Sequence, residues 1–276
     1  MTAEAEPPHY DLATAAADLE PWSGPPRRSL VICGHPRSGT TLLGEILMDM
    51  GGLGIALEYF HRGFRPHLQE RFGVTGLDDY VAQVHSLRTS PSGTFAAKVF
   101  WHDLEDIAHE RDPRLPAWGQ RPVGETTAED YRRIWSHAAP LFPNPVFIHI
   151  ERRDSLRQAI SAVRATQSGL WRAIPGVGRQ TRIGEESYDA ERIRGAMEFY
   201  AYCRGHWRGL FDALQVTPFR MTYEGLDADL AGETARLGRH LGLESVAVPA
   251  PRMKRQSDDV SEAWVLRYLR ETADPV

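Results

Sequence analysis

The chain has 276 residues, 42% of them hydrophobic and 25% charged, which suits one large α/β domain with an ordinary apolar core. A formal net charge of −5 excludes a general electrostatic affinity for nucleic acid or for an anionic membrane surface. With Cys33 and Cys203 unpaired in spacing and eleven scattered histidines, neither a disulfide framework nor a metal site is expected, and a reducing, cytoplasmic setting fits.

Residues 1–28 carry Pro7, Pro8, Pro21, Pro25 and Pro26 around a short alanine-rich stretch and read as a flexible extension ahead of a single domain over 29–276. Glu4 and Glu6 do not suit a signal peptide, and no apolar run reaches the ~20 residues of a membrane span. Ser29-Leu-Val-Ile-Cys33 is the kind of continuous apolar run that forms a buried parallel strand. It breaks at Gly34, and Leu42, Leu43, Ile46, Leu47 and Met50 then recur at helical spacing up to Gly51-Gly52. Phe95–Phe100 predicts a second strand, followed by a short acidic helix near Leu104 and Ile107, a Pro/Gly loop over 111–125 and a helix over 127–139. Pro145–Ile150 predicts a third strand feeding a helix that starts near Asp154. A loop over 169–188, a helix over 189–213, a strand around Phe219–Met221 and helices over 226–241 and 261–271 complete the reading. Strands alternating with helices predict a parallel sheet flanked by helices on both faces.

Gly34-His-Pro-Arg-Ser-Gly-Thr-Thr41 lies between the first strand and its helix, where paired glycines and a helix N-terminus cradle an anion. The frame is that of a nucleotide P-loop, but Thr40 stands where a nucleotide hydrolase or kinase carries the lysine that grips terminal phosphates. The positive charge sits earlier, at Arg37, and seven arginines between Glu151 and Arg182 face two acids there, which points to a small anionic ligand. Glu58 follows the first helix, on the side of the sheet where the glycine loop sits. Its neighbours Leu57, Tyr59 and Phe60 should desolvate it and raise its pKa towards that of a useful base. A P-loop kinase and a non-catalytic nucleotide-binding protein are the competing readings, and His61 and His35 are competing bases.

Pro36-Arg-Ser-Gly-Thr-Thr-Leu-Leu43 resembles the 5′-phosphosulfate loop of sulfotransferases. The likeness narrows to the bacterial trehalose 2-sulfotransferase family. It runs from about 30 to 270 through the Glu58-aromatic-aromatic segment, Lys98-Val-Phe-Trp101, Arg153-Asp-x-x-x-Gln-Ala-x-Ser161, Gln167 to Trp171, and Arg255-Gln-x-x-x-x-Ser261-x-x-Trp264. The resemblance implies the sulfotransferase fold, 3′-phosphoadenosine 5′-phosphosulfate as donor, no metal, and a small-molecule hydroxyl as acceptor. It implies that Arg37, Ser38, Gly39, Thr40 and Thr41 hold the phosphosulfate, that Arg153 and Ser161 hold the 3′-phosphate, and that Lys254 and Arg255 close over the nucleotide. Glu58 is then the general base, with Lys98 either at the bridging oxygen or paired with a carboxylate, and a homodimer is expected. Ile55, Leu57, Tyr59, Phe60 and His61 fall on the acceptor segment. Because Ile55, Ala56 and Leu57 replace polar residues of the family there, a less polar acceptor than a disaccharide is expected. Trp101 and Trp171 read as packing residues.

Overall fold

Arg28–Gly34 has no turn residue before its last position and forms the central strand β1, whose side chains alternate between two cores. Leu30 and Ile32 point to one face, Val31 and Cys33 to the other, and all four are fully buried. The structure, a computed structural model, describes residues 11–117, 119–172, 183–243 and 258–273. β1 runs parallel to β2 (Thr94–Phe100) on one side and to β3 (Pro145–Glu151) on the other, and β4 (Phe219–Thr222) extends the sheet beyond β3. The order β2-β1-β3-β4 means that the chain leaves β1 to one side and later returns to its other side. In parallel sheets this opens a ligand crevice at the carboxyl ends of the strands.

Helices cover both faces. α1 (Thr40–Asp49) packs Leu43, Ile46 and Leu47 on one side, joined by Leu226 of α8 (Tyr223–Ala228) and Leu237 of α9 (Leu230–His240). The other face is covered by α3 (Leu77–Arg88), α4 (Trp101–Arg111), α5 (Ala128–Ala138) and the long α7 (Ala190–Leu214). α2 (Arg65–Phe72) and α3 fill the stretch between the acceptor segment and β2, which the predicted elements leave empty. The helix expected over 226–241 is two helices, broken at Asp229, whose side chain caps α9 by accepting from the Gly232 N–H. α6 (Ser155–Ser168) and α10 (Asp259–Thr272) meet α7 in a third cluster around Ile160, Val163, Ile193 and Trp264.

The N-terminal extension is packed over its described part. Leu12 lies in the core, and the fully buried Arg88 donates to the carbonyls of Leu12, Thr14 and Ala17 while pairing with Asp18 at 2.7 Å. Those carbonyls belong to two short 3-10 turns and their junction, and a buried guanidinium serves as their common side-chain donor. Truncating it takes a donor from three carbonyls and one of its two arginines from Asp18, which keeps Arg71. Arg88→Ala is therefore expected to lower the unfolding free energy by about 3 kcal/mol in urea titration; a change below ~1 kcal/mol would contradict the anchoring role.

Candidate functional site

The glycine loop turns as its composition requires. A Cβ on Gly34 would lie 2.6 Å from the Thr40 methyl and 3.0 Å from the Ile150 carbonyl, and Gly39, the N-cap of α1, has φ +91°. The loop closes on itself through Ser38, whose buried hydroxyl donates to the His35 carbonyl at 2.8 Å and accepts from the His35 N–H. The Ser38 hydroxyl thus shapes the loop. Arg37 adopts φ +66°, uncommon for a side-chain-bearing residue, and projects across the strand ends. Its Nε donates to Ser161 Oγ of α6 at 2.8 Å and its Nη1 to the Trp171 carbonyl at 2.5 Å. Burial draws its pKa down to about 10, still a cation at neutral pH.

These groups open onto a cleft of about 720 Å³ that includes Arg37, Gly39, Thr40, Thr41 and Ser161 in its wall. Arg152, Arg157, Arg164 and Arg172 also face it, so the arginine density between 151 and 182 was the sequence signal for this surface. Two of them are matched by acids of the C-terminal helix: Arg157 pairs with Glu262 at 2.6 Å and Arg164 with Asp258 at 2.5 Å. Arg152 lies 4.8 Å over the Tyr223 ring, a cation–π contact that holds the guanidinium at the end of β3.

Four expectations are corrected here. Arg153, whose side chain is 71% exposed and 3.7 Å from Glu224, does not line the cleft; Arg152 does. The Glu224 carboxylate accepts the N–H groups of Arg153 and Asp154, so the turn after β3 is already occupied by an internal anion. Ser161 consequently sits with Arg37 and not in a separate pocket with Arg153. Trp171 lines the cleft, whereas Trp101 is wholly buried. Ile55, Leu57, Tyr59 and Phe60 are 0–6% exposed members of the core, with Tyr59 donating to the Ile55 carbonyl, so they back the site and offer no acceptor surface. The ground for a less polar acceptor goes with them. Lys254 and Arg255 lie outside the described residues.

Glu58 is placed by the sheet. Leu57 bridges to Ala97 as an extra parallel edge, its carbonyl accepting from the Lys98 N–H at 2.8 Å, which sets residue 58 beside the Lys98 side chain. The fully buried Lys98 ammonium lies 3.0 Å from Glu58 Oε1 and donates to Thr41 Oγ1 at 3.3 Å. Arg172 approaches Glu58 Oε2 at 3.7 Å. Burial alone would raise the Glu58 pKa, as its apolar neighbours suggest, but Lys98, Arg172 and His61 outweigh it and hold the carboxyl at about 2. The expected raised value is thereby reversed, and Lys98 is a carboxylate partner. Burial also lowers the pKa of Lys98 and of His61. His61 Nδ1 accepts from the Gly63 N–H, so the neutral ring carries its proton on Nε2. His35 is buried against Tyr200, with its pKa depressed by desolvation. Among the described residues His61, His102 and Asp103 bring donor atoms within 4.8 Å of one another. Asp103 is engaged there by the Phe100 N–H at 2.8 Å and by His102 at 3.4 Å, which makes the group a helix cap beneath two rings, and no metal is assigned to it.

The sequence model of the Stf0 sulphotransferase family matches residues 29–271. A trehalose 2-sulfotransferase of Mycobacterium tuberculosis (strain ATCC 35801 / TMC 107 / Erdman) is 27% identical over 270 residues, covering 88% of this chain and 95% of that protein. A trehalose 2-sulfotransferase of Mycolicibacterium smegmatis (strain ATCC 700084 / mc(2)155) is 26% identical over 265 residues, covering 87% and 94%.

The buried pair has a pH signature. A carboxyl lowered from 4.5 to about 2 stabilises the fold above pH ~4.5, by about 3 kcal/mol, and loses that contribution as the pH falls towards 2. Urea unfolding should therefore show Glu58→Gln less stable than the parent by about that amount at pH 6–7, with the gap narrowing below pH 4.5. A gap independent of pH would contradict the ion pairing.

Proposed function

The chain belongs to the Stf0 sulphotransferase family and is a sulfotransferase, and on that premise we propose that it moves a sulfuryl group from 3′-phosphoadenosine 5′-phosphosulfate to a hydroxyl of a sugar-type acceptor. The observation that carries the reading is the buried Lys98, which touches both Thr41 of the glycine loop and Glu58 and so ties a donor-binding loop to a carboxylate base. The cleft suits such a donor, since backbone N–H groups at the start of α1 and the cationic Arg37, which holds Ser161, meet one anion, and Arg152 at the end of β3 meets a second. In this reading Arg152 takes the place at the second anion, and Arg153 stays outside the cleft with its backbone held by Glu224.

Bound there, the donor supplies an activated sulfuryl group with a good leaving phosphate, and transfer in line needs alignment, charge neutralisation and a proton acceptor. Gly39 to Thr41 and Arg37 align and neutralise the leaving side. Lys98, shared between Thr41 and Glu58, keeps the base at a set distance from that side. Glu58 is ionised at any working pH and accepts the acceptor proton, whereas His61 has spent its Nδ1 lone pair on Gly63. The reading includes a cytoplasmic setting and a homodimer, for which Leu266 and Leu269 on the outer side of α10 form an exposed apolar patch. No helix among the described residues is long and apolar enough to cross a membrane.

Calorimetric titration should show adenosine 3′,5′-bisphosphate binding at least ~10-fold more tightly than AMP, a bidentate charge-assisted contact being the difference; equal affinities would remove the donor assignment. With the donor and trehalose as probe acceptor, Glu58→Gln is expected to lower kcat by about 10²–10⁴-fold while nucleotide affinity stays within about twofold. Retained turnover would move the base elsewhere.

A further inference from the structure

Two cations hold Glu58 with unequal firmness. Lys98 reaches it from β2 at 3.0 Å, within ordinary hydrogen-bond length, and is itself enclosed between the sheet and α1. Arg172 reaches the other oxygen at 3.7 Å, beyond the 2.7–2.9 Å of a charge-assisted hydrogen bond, so it acts through charge and orientation. Its guanidinium is steadied by the Phe64 ring, 5.1 Å below, and lies almost buried in the cleft wall. The preceding residue, Trp171, gives its carbonyl to Arg37. A chain of contacts thus runs from the phosphate loop through Arg37, Trp171 and Arg172 to Glu58.

We propose that Arg172 is a positioning residue for the transfer reaction: it aims the Glu58 carboxylate at the cleft and occupies the side of it that the acceptor hydroxyl takes in turnover. The proposal rests on Glu58 being the base. As the acceptor oxygen bonds to sulfur and the bond from sulfur to the 5′-phosphate oxygen breaks, the hydroxyl proton passes to Glu58, and the bridging electron pair stays with the phosphate. A looser partner is the one a hydroxyl can displace, and its displacement strengthens the base by removing one of two cations. Among the described residues, the groups facing Glu58 are Lys98 on β2, Arg172 on the cleft wall and His61 on its own loop, with Glu45 of α1 behind Lys98 and His102 and Asp103 of α4 behind His61. Burial keeps both histidines below their ordinary pKa, so in the neutral range they add no charge and Arg172 is the adjustable neighbour.

The test is a ¹³C titration of the Glu58 carboxyl in the full chain labelled at glutamate Cδ, the resonance being identified by its loss in Glu58→Gln. Arg172→Gln should move the Glu58 midpoint up by about one to three pH units, and Arg172→Lys by less. Phe64→Leu, which removes the ring under the guanidinium without altering a charge, should move it the same way by a smaller amount, so the result does not hang on whether Arg172→Gln folds. An unchanged midpoint in Arg172→Gln, or in Phe64→Leu if that variant alone folds, overturns the aiming role. A midpoint that moves while Glu58→Gln keeps its turnover leaves the aiming intact and removes the base on which it was to act.

Discussion

A lysine ammonium enclosed in protein is tolerable only if its charge is matched and its protons are placed. Lys98 meets that condition by lying between Glu58 at 3.0 Å and Thr41 at 3.3 Å, and much of the site's layout follows. It stands at the carboxyl end of β2, directly across from Ile32 of β1, so its stem leaves the sheet beside the glycine loop. Glu58 comes within reach because Leu57 adds itself to the β2 edge. The donor loop and the base are separated by seventeen residues from Thr41 to Glu58 and yet share one proton-bearing group. Neither can shift without unpairing a buried charge.

The rest of the cleft divides its arginines by what neutralises them. Arg157 and Arg164 are drawn to Glu262, Asp258 and Glu186, and so fasten α10 to α6. Part of the cationic run is therefore structural, tying the C-terminal helix to the wall of the cleft. Arg37 and Arg152 face the opening with a hydroxyl, a carbonyl or an aromatic ring among their partners, contacts that orient a guanidinium, and Arg172 faces it between the Phe64 ring and the Glu58 carboxylate. That combination suits a multiply charged small ligand, since the field is local while the protein as a whole is acidic.

Much was legible along the chain. The order of strands and helices follows from apolar runs of strand length and from helical spacing, and Gly34 to Thr41 could be assigned because its frame and its strand–helix context agree. Of the helices at 65–88, α2 gives little signal because only Leu68 faces inward, whereas α3 buries Leu77, Tyr80, Val81 and Val84 at helical spacing, a pattern that the sequence does carry. In the sequence the aromatic flank of Glu58 has the look of an acceptor surface, because a sequence shows hydrophobicity but not which side of a residue meets water.

What local chemistry dictates is the kind of group at each point: glycines that permit an anion-cradling turn, an arginine within it, a carboxylate among aromatics, a dense arginine run. What chain order could not reveal is pairing across the fold. Whether Glu58 is a raised or a depressed acid depends on Lys98, forty residues on, and on Arg172, further still, because Coulomb energy falls with distance in space and takes no account of separation in sequence. The choice between Arg152 and Arg153 likewise rests on Glu224 and Tyr223, which arrive from β4's far end to hold one residue's backbone and the other's guanidinium.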